Sequence, residues 1–276
     1  MMRYVNHFGS TFDFDAPGIY THRDAIRDYS WSITLLNGRV SSASRAEATL
    51  SLVVNFAMDP EGCEEQKKQL CRVLDADPLA GKTGRLYDDD WYIECILQSS
   101  VKALWWYGNG CARCNLSFLA SDPVWVRERV SVFSKGDTSG GLNFPFDFPF
   151  GFENAGTGTR FLENPGLEPS PMRITIYGPA KSPVVVVGGN RYEIDVDVDE
   201  NGKLVIDGTC KTIEVEDAYG RRENAFSKRL GTQREDSGTY AFQRLKPGHQ
   251  AVSWDGSFAF EVVVFERASE KGWEDG

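Results

Sequence analysis

The sequence predicts a mainly β chain of two domains, and three observations carry that prediction. Short runs with two-residue alternation recur along the chain, glycines and prolines separate them, and a single segment has the caps and periodicity of a helix. A length of 276 residues suits two domains of ordinary size, each able to bury a core without metals or disulfides. The 27 glycines and 12 prolines are spread throughout, as turn-rich β structure requires, and a 41% hydrophobic share excludes a disordered polymer.

The first strand pattern is Tyr29-Ser30-Trp31-Ser32-Ile33-Thr34-Leu35, whose alternation is that of a half-buried strand; the turn pair Asn37-Gly38 follows it. Ala48 to Phe56 reads as a second strand. Asp59-Pro60 then supplies a cap and a proline at the first helical position, and Glu61, Glu64 and Glu65 favour the positive end of the helix dipole. Leu70, Val73 and Leu74 form the apolar stripe of this helix, and Asp77-Pro78 is expected to end it. Arg85-Leu86-Tyr87 and Trp91 to Leu97 flank the acidic turn Asp88-Asp89-Asp90 as a hairpin. A separate strand is expected from Val101 to Tyr107, and Gly108-Asn109-Gly110 turns the chain into another from Cys111 to Leu119. Residues 1–140 are thus expected to form a small barrel or curled sheet with one helix packed on it.

From Ser134 to Gly141 the composition turns to Lys, Gly, Asp, Ser and Thr, as in a linker. Residues 141–152 form a strap in which Phe144, Phe146, Phe148, Phe150 and Phe152 alternate around Pro145 and Pro149. Two prolines exclude a helix and a central strand there, so an extended segment is expected to lay its rings on its own domains or on another subunit.

Residues 153–276 read as an antiparallel sandwich of short strands. Met172 to Tyr177, Val184 to Val187, Leu204 to Asp207, Thr212 to Val215, Tyr240 to Phe242, Ala251 to Trp254 and Phe258 to Phe265 are its expected strands. Tyr192 to Asp199 alternates strictly, carboxylates on one face and aliphatics on the other, and Asn201-Gly202 is expected to turn it into the strand at Leu204.

The motifs that carry chemistry fail one by one. Cys111 and Cys114 make a CxxC without the second ligand pair a zinc site needs, and on a strand the two thiols face opposite sides. The six cysteines are scattered, which fits reduced and mostly buried thiols. Asp197-Val198-Asp199-Glu200-Asn201-Gly202 opens like a calcium loop, but Gly208 stands where the bidentate Glu belongs. Gly81-Lys82-Thr83 lacks the upstream glycine of a phosphate loop, its place taken by Ala76. The three histidines, His7, His22 and His249, complete no nucleophile or metal motif. The expectation is a chain that is not an enzyme and carries no cofactor or metal. A net charge of −10 argues against specific nucleic-acid binding. No run approaches the roughly 18–20 apolar residues of a membrane span, and the first residues lack the apolar core of a signal peptide, so a cytoplasmic origin is expected.

An ordered series of short signals carries a family resemblance. Asn164-Pro165-Gly166 is followed by Pro171, Ile174-Thr175-Ile176-Tyr177-Gly178-Pro179 and Pro183. Leu204-Val205-Ile206-Asp207-Gly208-Thr209, Thr212-Ile213 and Leu245-Lys246-Pro247-Gly248 then precede Ala251. In this order the second half resembles the C-terminal domain of siphophage distal tail proteins. His249-Gln250 departs from the family, which often has Asn shortly after the late Pro-Gly. The helix after an opening sheet, Asp122-Pro123-Val124-Trp125 and the Phe/Pro strap look like the family's N-terminal domain and connecting segment. The resemblance implies an N-terminal split β-barrel that forms a hexameric ring, and a galectin-like β-sandwich projecting from it. Its implied partners are further copies of itself, the tail tube protein and the tail-tip hub protein. Its implied place is the distal tip of a virion tail, assembled in the bacterial host cytoplasm. The alternative is a carbohydrate-binding module, in which Trp254 or Trp273 stacks on a sugar ring.

Overall fold

The computed structural model describes residues 1–106, 110–136 and 160–271, and the fold is mainly β with one α-helix among them. The chain divides into two compact units, Met1–Arg127 with Ala268–Gly276, and Glu128–Arg267. The passage at Arg127/Glu128 falls inside a strand, not in the polar stretch near residue 140, and the chain from Ala268 belongs to the first unit. Composition marks where backbone is polar and turn-prone; it does not mark where packing contacts change partner.

The first unit contains β1 (Met2–Val5), β2 (Thr11–Asp13), β3 (Ile19–His22), β4 (Trp31–Leu36), β5 (Arg39–Arg45), β6 (Ala48–Ala57) and helix α1 (Pro60–Ala80). β7 (Gly84–Asp88), β8 (Trp91–Trp106), β9 (Cys111–Ala120) and the opening of β10 (Trp125–Phe133) follow. Antiparallel pairing runs β2-β1-β7-β8-β9-β6-β3. The two strands expected at Trp91 and Val101 are one strand, β8. Its near end pairs with β7 and its far end with β9, with register shifts at Leu97/Ser99 and Lys102/Leu104. Gln98 and Ala103 are the extra residues at these shifts, β-bulges within the ladder to β9.

Helix α1 closes over the curled sheet. The Asp59 carboxylate accepts from the Gly62 N–H at 2.9 Å, and Pro60 occupies the first turn, where a missing N–H is harmless. Cys63, Leu70, Val73 and Leu74 join Tyr4, Phe12, Phe14, Leu52, Phe56, Leu86, Phe118 and Trp125 in one buried cluster. The helix does not stop at Asp77-Pro78 but runs to Ala80, where Gly81 (φ 61°) takes the left-handed cap conformation. In the last turn the carbonyls of Asp77 and Pro78 are satisfied by Lys82 N–H and Gly81 N–H, at 3.0 and 3.2 Å.

Asp77 is fully buried and ties the helix end to β1. Its carboxylate accepts from Tyr4 Oη at 2.5 Å and from the His7 backbone N–H at 2.9 Å, and lies 2.5 Å from His7 Nδ1. Burial, reinforced by the bond to Asp77, pushes the Tyr4 hydroxyl far above its usual range, so it remains a donor. A Cβ on Gly84 would lie 2.3 Å from Asp77 Oδ2 and 2.4 Å from Tyr4 Oη, so only glycine fits beside the knot.

A second polar node holds the returning end of the chain. Asp88, 1% exposed, meets Arg27 Nη2 at 3.2 Å, Arg23 Nη1 at 3.5 Å and Lys271 Nζ at 2.8 Å. Lys271 reaches Asp89 as well, at 2.9 Å, and Arg45 Nε donates to Ser269 Oγ at 3.2 Å. Burial alone lowers the Lys271 pKa, but its bonds to Asp88 and Asp89 outweigh that and raise it. The N-terminal ammonium and Lys271 hold the Asp89 carboxyl at about 2.

The second unit is a two-sheet sandwich. Its strands are the rest of β10, β11 (Arg160–Asn164), β12 (Met172–Tyr177), β13 (Val184–Val187), β14 (Asn190–Glu193) and β15 (Lys203–Asp207). β16 (Thr212–Glu216), β17 (Arg222–Asn224), β18 (Gly248–Ser253) and β19 (Ala259–Ala268) complete it. One sheet runs β17-β16-β15-β12-β19-β10, the other β11-β18-β13-β14. Ile174, Ile176, Leu204, Ile206, Phe260 and Val262 of the first share one core with Leu162, Val185, Tyr192 and Val252 of the second.

Two strand expectations are corrected here. From Ile194 to Asp199 the alternation of burial persists, but β14 stops at Glu193, and Ile194 and Val198 make only isolated bridges. Accordingly Asn201-Gly202 does not turn β14 into β15, which pairs with β12 and β16. Tyr240-Ala241-Phe242 is buried but forms no strand, because alternation reports which side chains are covered and not whether a ladder partner is present.

Asp77→Ala leaves the buried donors of Tyr4 and His7 without their acceptor and should destabilise the protein by about 3 kcal/mol. Thermal denaturation should register this as a fall of roughly 6–12 °C; an unchanged Tm contradicts the role given to the knot. The Asp89 carboxyl sits below its ordinary value of about 3.9, so its contribution is present above that pH and is lost as pH falls through about 2. Asp89→Asn should therefore melt below wild type at neutral pH, with the gap closing between about pH 4 and pH 2. A gap that stays constant over that window contradicts the assignment.

Candidate assembly surface

The strap residues Phe144, Pro145, Phe146, Phe148, Pro149, Phe150 and Phe152 lie outside the described residues, as does Trp273. The other sequence candidates can be placed. Cys111 and Cys114 sit on opposite faces of β9, Cys114 buried and Cys111 half-buried. Burial raises the thiol pKa of Cys114 and of Cys95, which keeps both protonated. Cys63 is buried too, but Cys71 and Cys210 are exposed, so the thiols are less uniformly interior than expected. No group of three metal-ligating side chains occurs among the described residues. Asp197 accepts from Ser182 N–H, and Asp207 caps its own turn by accepting from Thr209 N–H and Cys210 N–H.

Trp254 is no sugar platform. It is 6% exposed, its Nε1–H donates to the Phe258 carbonyl at 3.2 Å, and Phe133 and Phe260 pack edge-on against it. Among the described residues, concavities on the sandwich include a smaller and a larger one. The smaller, about 130 Å³, lies beside Asn190, Asp236, Gln243 and Lys246; its one aromatic, Tyr192, is buried with its hydroxyl donating to the Gln243 carbonyl. The larger, about 660 Å³, has no aromatic in its wall, and its Asp217 and Arg221 pair with each other at 2.7 Å.

The feature that stands apart is the β4–β5 hairpin. Asn37 (φ 51°) and Gly38 (φ 75°) form its two-residue turn, both in the left-handed region that such a tight connection requires. Trp31 pairs with Arg45, Ile33 with Ala43 and Leu35 with Val40, the register shifting once between Thr34 and Leu35. Trp31, Ile33, Leu35, Val40 and Ala43 therefore share one face, while Ser32, Thr34, Leu36, Arg39, Ser42 and Ser44 share the other. The Arg45 guanidinium lies 5.0 Å from the Trp31 ring.

The alternation here predicts a half-buried strand, yet every residue of β4 is exposed, including Ile33 at 57% and Leu35 at 63%. Among the described residues, β4 and β5 pair only with each other. The local pattern is written for burial, and no described residue forms a covering layer over the strand. Alternation alone could not reveal that, since it specifies an apolar face and is silent on what covers it.

No family model matches the chain, and no curated protein matches it in sequence. Solved structures do match in shape. The crystal structure of the SPP1 Dit protein, described as a paradigm of the hub adsorption apparatus in phages infecting Gram-positive bacteria, aligns with a TM-score of 0.58 at 10% identity. That alignment covers 97% of this chain and 98% of the Dit chain. Chains from the phage P2 baseplate in its activated conformation align as well. The structure with Ca gives a TM-score of 0.63 at 10% identity, over 98% of both chains. The one with Sr gives 0.62 at 11% identity, over 98% of this chain and 100% of that one. Over nearly its whole length, the chain has the fold of phage distal tail (Dit) and baseplate proteins.

Proposed function

We propose that this chain is a structural distal tail protein of a long-tailed phage, forming a hexameric ring that joins the tail tube to the tail-tip hub and adsorption apparatus. The observation that carries this reading is likeness to the Dit and baseplate structures across both units in a single alignment. Sandwiches and curled sheets each recur in unrelated proteins, so either unit alone would be weak support; their succession in one chain is far more particular. The sequence signals of the resemblance also fall on ordered elements. Ile174 to Tyr177 lies in β12, Leu204 to Asp207 in β15, and Leu245-Lys246-Pro247-Gly248 leads into β18.

A ring adaptor needs a head-to-tail surface that closes by rotation; it needs no nucleophile, metal or cofactor. In this reading the protein catalyses nothing, its partners are its own copies, the tube protein and the hub protein, and its place is the tail tip of a virion assembled in the host cytoplasm. The acidic balance fits a protein without specific affinity for nucleic acid. The carbohydrate-binding alternative loses its described aromatic at Trp254, which is a core residue of the sandwich. The Phe144–Phe152 strap is retained as a contact element of the assembly.

Negative-stain images of the purified chain, alone and co-expressed with the tube and hub proteins, should show six-fold rings. Single-chain particles in every preparation would contradict the proposal. Replacing Phe144, Phe146, Phe148 and Phe150 by Ser should reduce the yield of rings with little change in Tm. Rings of undiminished yield would remove the strap from the assembly.

A further inference from the structure

The larger cleft of the sandwich, about 660 Å³, lies between the last strand of one sheet and a stretch of backbone that has no ladder. We propose that this cleft binds an extended basic peptide of a partner protein, which enters as an added strand. The inference goes beyond the ring reading and does not depend on it.

One wall is the free edge of β17. That strand ends its sheet and, among the described residues, pairs only with β16. The Ala225 N–H donates to the Ile213 carbonyl and the Asp217 N–H to the Arg221 carbonyl, at 2.8 and 3.0 Å. Bonded pairs alternate along an antiparallel ladder, so Glu223 faces β16, and Arg222 and Asn224 turn their N–H and C=O groups outward. The other wall is the segment of residues 195–199. The Asp195 N–H donates to the Lys228 carbonyl, and Val198 exchanges two bonds with Ala180. The N–H and C=O of Asp197 have no backbone partner among the described residues. Two lengths of extended backbone with groups left to pair thus border one cleft, the arrangement that strand addition uses.

Side chains select the occupant. Val196 and Val215, half-buried against the sandwich core, give the cleft an apolar lining together with the buried Ala225. Asp195, Asp197, Asp199 and Glu223 are exposed along it and, among the described residues, have no ion-pair partner. Most of its cations are engaged: Arg221 holds Asp217 at 2.7 Å and Arg222 holds Glu216 at 3.0 Å. A peptide that alternates Lys or Arg with small aliphatic residues answers both features. Its two-residue period sets the apolar side chains on the lining and the cations toward the carboxylates. A second copy of the same edge is disfavoured, because β17 is only three residues long and charged, which keeps two such edges from pairing.

The test is calorimetric titration of the full chain with an end-blocked Lys-Val-Lys-Val-Lys-Val peptide at about 0.15 M salt. One peptide should bind per chain with a Kd below about 100 µM. A block peptide of three lysines then three valines should bind at least tenfold more weakly, and so should the alternating peptide with its backbone nitrogens methylated. Asp195→Asn/Asp197→Asn/Asp199→Asn changes exposed side chains only, so its circular dichroism should match wild type. Its affinity should fall about tenfold. Hydrogen exchange supplies an independent readout, with the amides of Asp197, Arg222 and Asn224 slowing when the alternating peptide is added. No binding of that peptide at millimolar concentration would overturn the proposal. Equal binding of the block or methylated peptide, unchanged affinity in the triple variant, or slowed exchange confined to other segments would do the same.

Discussion

Covering one apolar face of every strand is the demand that organises both units. In the first, helix α1 lays Cys63, Leu70, Val73 and Leu74 over the inner face of a curled sheet. In the second, two sheets cover each other, with Ile174, Leu204 and Phe260 meeting Leu162, Val185 and Val252. The β4–β5 hairpin carries an apolar face with no layer above it among the described residues. Other strands expose single apolar residues, such as Val101 in β8 and Val130 and Val132 in β10, whereas in β4 every residue is exposed.

Apolar packing sets the layers, but buried charge fixes where the chain ends meet them. Asp77 draws Tyr4 and His7 onto the last turn of α1, and Gly84 leaves the space for that contact. Asp88 gathers Arg23, Arg27 and Lys271, so the end of the chain is fastened to the first unit. A buried carboxylate without such partners would shed its charge or its burial. These nodes are therefore positional, each specifying one partner segment where hydrophobic contact alone would accept several.

Much of the fold could be read from the sequence because its signals are local. The Asp59-Pro60 start of α1, the Asp88-Asp89-Asp90 hairpin, the Asn37-Gly38 turn and the stripe of Leu70, Val73 and Leu74 all depend on neighbours a few residues apart. What escaped depends on distant partners. The continuity of β8 is set by the β7 and β9 ladders meeting end to end at Cys95 and Ile96, and the extension of α1 past Pro78 by the Gly81 and Lys82 N–H groups, which donate to the Pro78 and Asp77 carbonyls. The absence of a ladder from Ile194 to Asp199 is set by which strand lies beside it. The unit boundary inside β10 left no mark in composition. As for the site, the turn and alternation of the hairpin were visible from Tyr29 to Gly38, but its return strand β5 was not, being rich in serine and weak in β pattern. That no described residue covers the face depends on distant parts of the chain, beyond the reach of any local motif.

The central claim is that this fold is built to close on copies of itself. Native mass spectrometry of the purified chain, alone and with the tube and hub proteins, tests it most directly. The account predicts a dominant species of six chains in at least one of these mixtures, dissociating into single folded chains without stable intermediates of other symmetry. A single chain in all of them, or a closed dimer that persists on dilution, would contradict it.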